Sequence, residues 1–163
     1  MIIEYSNFLT EDECNLLIAL GESGNLSSGT VRNGKIGYRK AKVRWFSDAP
    51  IIERVKSDVA NLSGISQDKQ EDFHFVKYAQ SGEYKQHYDG KKRSKTALIY
   101  LNNGFRGGET YFPNIDRTVI PEIGKLVIWD NITEDGENDT ESLHSGLPVE
   151  YGTKYIAVIW IKK

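Results

Sequence analysis

The spacing of apolar positions changes once along the chain, near residue 72, and that change divides a helical part from a strand-rich part. Before it, the run Cys14 to Leu20 follows Thr10 and Glu13, a capping box, and Gly21 offers a C-terminal stop. A second helix is predicted to begin near Asp48-Ala49-Pro50 and to end before Gly64, with Ile51, Val55, Val59 and Leu62 at spacings of four and three. Both helices are amphipathic and are expected to pack on a sheet. After residue 72 the period is two. Phe73 and Phe75 alternate with His74, Val76 and Tyr78, and Thr96, Leu98 and Tyr100 alternate with Ala97, Ile99 and Leu101. Lys154, Ile156, Val158 and Trp160 alternate with Tyr155, Ala157, Ile159 and Ile161. Turn signals at Gly82, Gly90, Asn102-Asn103-Gly104, Gly107-Gly108, Gly124, Gly136 and Gly152 suit a barrel or sandwich. The pattern predicts one mainly β domain over residues 1–163 with flanking helices.

Composition narrows this little further. The chain has 163 residues, enough for a core that needs neither disulfides nor a structural metal. Lys and Arg number 21 and Asp and Glu 23, a net charge of −2, so nothing in the totals marks a nucleic-acid binder. Apolar runs such as Ile156 to Ile161 are far shorter than a membrane span, and the N-terminus shows no secretory pattern. A single cysteine, Cys14, fits a reducing, cytoplasmic setting, and its place in an apolar helical pattern reads as a buried structural thiol.

Between the helices, residues 23–44 read as a mobile hairpin or loop with a basic face carrying Arg32, Lys35, Arg39, Lys40, Lys42 and Arg44. The run Lys91 to Lys95 reads as a solvated face, Arg93 excepted. His74 alternates with aromatic residues and reads as structural or surface.

The chemistry concentrates elsewhere. His87 and Asp89 are two apart in an extended segment, so their side chains leave one face, roughly 6 to 7 Å apart at the backbone. His144 follows 57 residues later, in Ser142-Leu143-His144-Ser145-Gly146. Two histidines and one carboxylate form the facial set of non-haem Fe(II) oxygenases, which leaves positions on the metal open. By itself a His-x-Asp pair is also a common polar surface pair.

The surrounding residues extend the pattern. Tyr78 to Asp89 fits Tyr-x-x-Gly-x-x-Tyr-x-x-His-x-Asp, and Gly107-Gly108-Glu109-Thr110-Tyr111-Phe112-Pro113 follows the strand ending at Leu101. Then come His144-Ser145-Gly146-Leu147-Pro148-Val149, Gly152, Lys154 and Trp160. This ordered set resembles the catalytic domain of the collagen-type prolyl 4-hydroxylases, within the 2-oxoglutarate and Fe(II)-dependent dioxygenases. The resemblance is dense over residues 73–163 and loose before them.

The resemblance implies a double-stranded β-helix (jelly-roll) core. It implies His87, Asp89 and His144 as catalytic iron ligands, and Lys154, with Tyr78 and Thr110, as the group that pairs with the far carboxylate of 2-oxoglutarate. Trp160 matches a position near that co-substrate, and Tyr84 and Arg93 match positions that line the peptide site. The implied cofactors are Fe(II), 2-oxoglutarate, O2 and ascorbate, and the implied partner is a proline-containing peptide converted to 4-hydroxyproline with release of succinate and carbon dioxide. Related branches are expected to use an arginine about nine residues past the distal histidine, where this chain has Lys154 ten residues past it, and halogenating relatives lack the carboxylate ligand. The basic residues near the presumed mouth, set against the acidic run Glu134 to Glu141 at the other end of the site, predict acidic residues near the target proline. A hydroxylase of the same fold acting on a free amino acid, small molecule or nucleic-acid base stays open, as does a non-catalytic jelly-roll binding module.

Overall fold

The computed structural model describes residues 1–29 and 37–163. Its strands are β1 (Ile2–Tyr5), β2 (Ser27–Ser28), β3 (Lys42–Phe46), β4 (Phe73–Tyr78), β5 (Tyr84–His87), β6 (Arg93–Tyr100) and β7 (Arg106–Gly107). They continue with β8 (Thr110–Phe112), β9 (Arg117–Val119), β10 (Leu126–Asp130), β11 (His144–Gly146), β12 (Val149–Tyr151) and β13 (Lys154–Lys162). The helices are α1 (Glu11–Glu22) and α2 (Pro50–Ser63).

A seven-stranded sheet runs β1-β10-β6-β13-β4-β3-β2, and a four-stranded sheet runs β5-β11-β8-β9. All the pairings in both are antiparallel. The alternation seen in the sequence decides which side of the large sheet each residue faces. Phe73, Phe75, Ala97, Ile99, Ala157 and Ile159 pack against Leu17, Cys14, Ile52, Val55 and Val59 of the helices. Val76, Tyr78, Leu98, Tyr100, Ile156, Val158 and Trp160 face inward, with Phe112 and Trp129. The inner layer contains the site.

The capping box at Thr10 is present: Glu13 N donates to Thr10 Oγ1 at 3.2 Å and Thr10 N to Glu13 Oε1 at 3.1 Å. Gly21 does not stop the helix, which runs on to Glu22 with Ser23 as its C-cap. A Cβ at Gly21 would fall 2.5 Å from the Phe75 ring, so the residue is there for close helix–sheet packing. In α2 the stripe is rotated from the expected one. Ile52, Val55 and Val59 are fully buried whereas Leu62 is exposed. Adjacent isoleucines at 51 and 52 allow either stripe, and packing on the sheet selects one. Gly64 closes α2 in the left-handed conformation, as its place after the helix predicted.

The segment 23–44 contains the β2–β3 hairpin. Its basic residues do not share one face. Arg44 turns to the C-terminal end of α1, donating to the Leu20 carbonyl at 2.6 Å, and Arg39 turns into the site. Arg32 and Lys35 lie outside the described residues. No helix among the described residues is long and apolar enough to cross a membrane.

Candidate active site

Antiparallel pairing of β5 with β11 sets His87 directly opposite His144, which removes their separation in sequence. Asp89 lies just past the end of β5, and one donor atom from each of the three residues comes within 4.8 Å of the others. Asp89 Oδ1 is 3.5 Å from His87 Nε2 and 3.8 Å from His144 Nε2. The opposite ring nitrogens are already used. His87 Nδ1 donates to the Lys85 carbonyl at 2.7 Å and His144 Nδ1 to the Ser142 carbonyl at 2.8 Å. A carbonyl only accepts, so in the neutral, metal-binding form of each ring the proton sits on Nδ1 and the Nε2 lone pair faces the carboxylate.

Three electron-pair donor atoms turned toward one another are unfavourable without a cation to share them. Burial would raise the Asp89 carboxyl, but the two imidazoles and the Thr96 hydroxyl outweigh it and hold it far below the usual carboxylate range. Burial lowers His144 to about 4, which leaves its ring neutral. A neutral imidazole and an ionised carboxylate are the forms that bind a metal. Thr96 Oγ1 donates to Asp89 Oδ2 at 2.5 Å and accepts from Asn131 Nδ2 at 2.8 Å, which orients the carboxylate.

The same cavity contains a second charge. Lys154 is 1% exposed, and its Nζ donates to the Gly108 carbonyl at 2.6 Å. It forms no ion pair among the described residues, and burial lowers it to about 7. The Tyr78 and Tyr100 rings lie 4.8 and 5.8 Å from the ammonium. Tyr78 pairs with Lys154 across β4 and β13, and Thr110 pairs with Gly146 across β8 and β11. Gly108 has φ +71°, and a Cβ there would sit 3.0 Å from Lys154 Cδ, so the turn must be glycine for the lysine to pass. Gly146 also runs beside Lys154, two residues from His144, a separation of roughly 6 to 7 Å along a strand. That gap suits a short dicarboxylate with one end on the metal and the other on the ammonium. The donor set and the unpaired buried lysine together fit Fe(II) and 2-oxoglutarate.

The chain matches the family model of the 2OG-Fe(II) oxygenase superfamily over residues 73–162. It belongs to that superfamily. Among curated relatives, prolyl 4-hydroxylase subunit alpha-1 of Gallus gallus is 27% identical over 182 residues, covering 98% of this chain and 35% of its own length. Prolyl 4-hydroxylase subunit alpha-2 of Caenorhabditis elegans is 27% identical over 183 residues, covering 99% and 34%. This oxygenase chain spans about a third of the length of those relatives. Among solved structures, the viral collagen prolyl hydroxylase of Paramecium Bursaria Chlorella virus-1, in its 2OG complex, has a TM-score of 0.82 at 25% identity, covering 99% of this chain and 95% of its own. A Pseudomonas putida prolyl-4-hydroxylase has the same fold, with a TM-score of 0.78 at 22% identity, covering 99% and 92%. The jelly-roll expectation is borne out by these neighbours and by the two facing antiparallel sheets.

An outer cavity opens from the metal side, lined in part by Arg39, Trp45, His74, Tyr84, Arg93 and Trp160. Tyr84 stacks on His87, ring centroids 3.5 Å apart and planes 14° from parallel. Trp160 lines both the inner and outer cavities. Arg93 reaches the outer cavity already engaged, held by Glu71 through two bonds of 2.8 Å and lying 3.7 Å over the Trp160 ring. His74 is buried at 1% exposure, against the surface alternative, and forms part of the outer wall. The Lys91–Lys95 run is not at the opposite end from the acidic run, because Lys91 pairs with Glu137. Thr96, Tyr100, Arg39 and His74 join the site without having been assigned to it from the sequence. Thr96 and Tyr100 did leave a signal, as polar residues at inward positions of an apolar strand; Arg39 left none within its basic run.

Proposed function

We propose that this oxygenase hydroxylates prolyl residues in a peptide to 4-hydroxyproline, consuming 2-oxoglutarate and O2 and releasing succinate and carbon dioxide. The observation that carries the reading is one cavity containing both the His87, Asp89 and His144 donors and an unpaired, buried Lys154. His87 Nε2, Asp89 Oδ1 and His144 Nε2 would hold the iron, and Lys154 would take the far carboxylate of 2-oxoglutarate beside Tyr78 and Thr110. When bound, iron and 2-oxoglutarate supply the oxidising chemistry, with ascorbate restoring Fe(II) after uncoupled turnover.

The chain's own residues supply position and a dry environment. Thr96 fixes the carboxylate, the Lys85 and Ser142 carbonyls fix the ring tautomers, and the inner aromatic layer of Phe112, Trp129 and Trp160 excludes water. Tyr84, Trp45 and Trp160 give the outer cavity an aromatic lining, which suits the stiff extended helix of a proline-rich segment. Support for a prolyl substrate comes from relatives named as prolyl hydroxylases along nearly the whole chain. A lone, buried Cys14 suits a reducing compartment such as the cytoplasm.

The test incubates the protein with Fe(II), 2-oxoglutarate, ascorbate and a panel of proline-containing peptides, and maps added oxygen by mass spectrometry. One added oxygen on proline is expected. Succinate release with no oxygen on any peptide would overturn the prolyl substrate, and no succinate release at all would overturn catalysis.

A further inference from the structure

Arg39 is pinned at both ends. Its backbone is stapled to β5, where Lys40 N donates to the Glu83 carbonyl at 2.8 Å and Lys85 N to the Tyr38 carbonyl at 3.0 Å. Its guanidinium lies 4.7 Å over the Tyr84 ring, and Nη2 is 2.9 Å from His74 Nε2. A guanidinium only donates, so His74 Nε2 accepts and the ring proton sits on Nδ1. His74 packs against two indoles in a three-ring cluster, its centroid 4.0 Å from Trp45 and 5.0 Å from Trp160, which are 5.5 Å from each other. Burial, with Arg39 and Arg93 nearby, lowers it to about 3, so the accepting lone pair persists at neutral pH.

Arg39 has no carboxylate partner among the described residues; besides His74 it bonds the Tyr78 hydroxyl, and its Nε is buried with no acceptor. It lines both the inner and the outer cavity. A desolvated donor without an acceptor is costly, and here an acceptor on a bound substrate can relieve that cost.

We propose that His74 is a positioning residue for the peptide: by accepting from Nη2 it holds the Arg39 guanidinium at the junction of the two cavities, where its unpartnered Nε–H meets a backbone carbonyl of the bound prolyl chain. The proposal rests on the prolyl reading above. Without the acceptor, a long and rotamer-rich side chain must be ordered anew each time a peptide binds.

Two substitutions separate the acceptor from the ring. His74→Phe keeps a ring against the indoles and loses the acceptor; His74→Gln loses the ring and keeps an acceptor. Affinity for fluorescein-labelled decaproline is read by anisotropy under anaerobic conditions with Fe(II) and 2-oxoglutarate. His74→Phe is expected to weaken binding about 10-fold or more, as for a lost hydrogen bond to a charged group. His74→Gln is expected to stay within about threefold of the unsubstituted protein, and adding His74→Phe to Arg39→Ala should change nothing further. Equal binding by His74→Phe, or a loss in His74→Gln as large as in His74→Phe, overturns the His74 role alone. If the unsubstituted protein does not bind decaproline, the prolyl reading falls and this proposal with it. Nitrogen NMR of labelled histidine in protein loaded with Zn(II) in place of iron provides an independent check: the Nδ1–H tautomer is expected for His74, and the Nε2–H tautomer would overturn the proposal.

Discussion

Thr96 Oγ1 donates to Asp89 Oδ2 at 2.5 Å, leaving the other carboxylate oxygen turned toward both histidines. The carboxylate therefore meets a metal already oriented. Replacing Thr96 with Val removes the donor and strands Asn131 Nδ2 as well. Fe(II) affinity should fall roughly 10- to 100-fold, with recovery in Thr96→Ser, as measured by competition with a chelator. Unchanged affinity in Thr96→Val would show that the bond does not position the ligand.

Lys154 has opposite effects on stability and on binding. An ammonium buried without an anion is a burden to the ligand-free fold, and breaking its pair with the co-substrate removes most of the binding. Lys154→Met should raise the ligand-free melting temperature while weakening 2-oxoglutarate roughly 100-fold or more, read by calorimetry. The pH dependence has a definite sign. Between about pH 7, the folded value, and 10.5, the ordinary one, the unfolded chain holds this proton and the folded chain does not. The group's contribution to stability therefore rises with pH across that window. Denaturant titrations of the two proteins at pH 7 and 9 should show a smaller rise in Lys154→Met.

Gly21 lies inside α1, where alanine would ordinarily be the better helix former by about 1 kcal/mol. The Phe75 ring reverses that sign. A Cβ at 2.5 Å must push the ring or the helix away, so Gly21→Ala should destabilise by about 1 to 3 kcal/mol in denaturant unfolding. Stabilisation instead would mean that the helix shifts freely on the sheet.

Cys14 is fully buried, and burial raises its thiol to about 11. It should resist an aromatic disulfide reagent at pH 8 in the native state and react only as fast as the chain opens. Fast labelling of native protein would contradict its place on the buried face of α1.

Much of the architecture was legible from the sequence because alternation has a direct physical meaning. Parity separates Phe73 and Phe75 from Val76 and Tyr78 and puts Lys154 on one face with Trp160, while only the structure shows that the first set meets the helices and the second faces the cavity. The His87, Asp89 and His144 triad was likewise legible from ordered motif residues, although only the β5–β11 ladder shows how residues 57 apart meet. Local signals were weaker where two choices cost nearly the same. Neither Gly21 as a packing residue nor Ile52 as the buried isoleucine could be told apart from its alternative without the opposing sheet.

The sequence by itself determined a mainly β domain with two flanking helices, because that rests on periodicity, and its ordered motif residues named His87, Asp89, His144 and Lys154 as candidates through their resemblance to a family. Tertiary structure alone decided the company each charge keeps. It drew Arg39 out of a basic run and onto His74, tied Arg93 to Glu71 and Lys91 to Glu137, and left Lys154 with the Gly108 carbonyl but no ion pair among the described residues. Pairing between charges far apart in the chain depends on which strands lie side by side, and no local pattern carries that information.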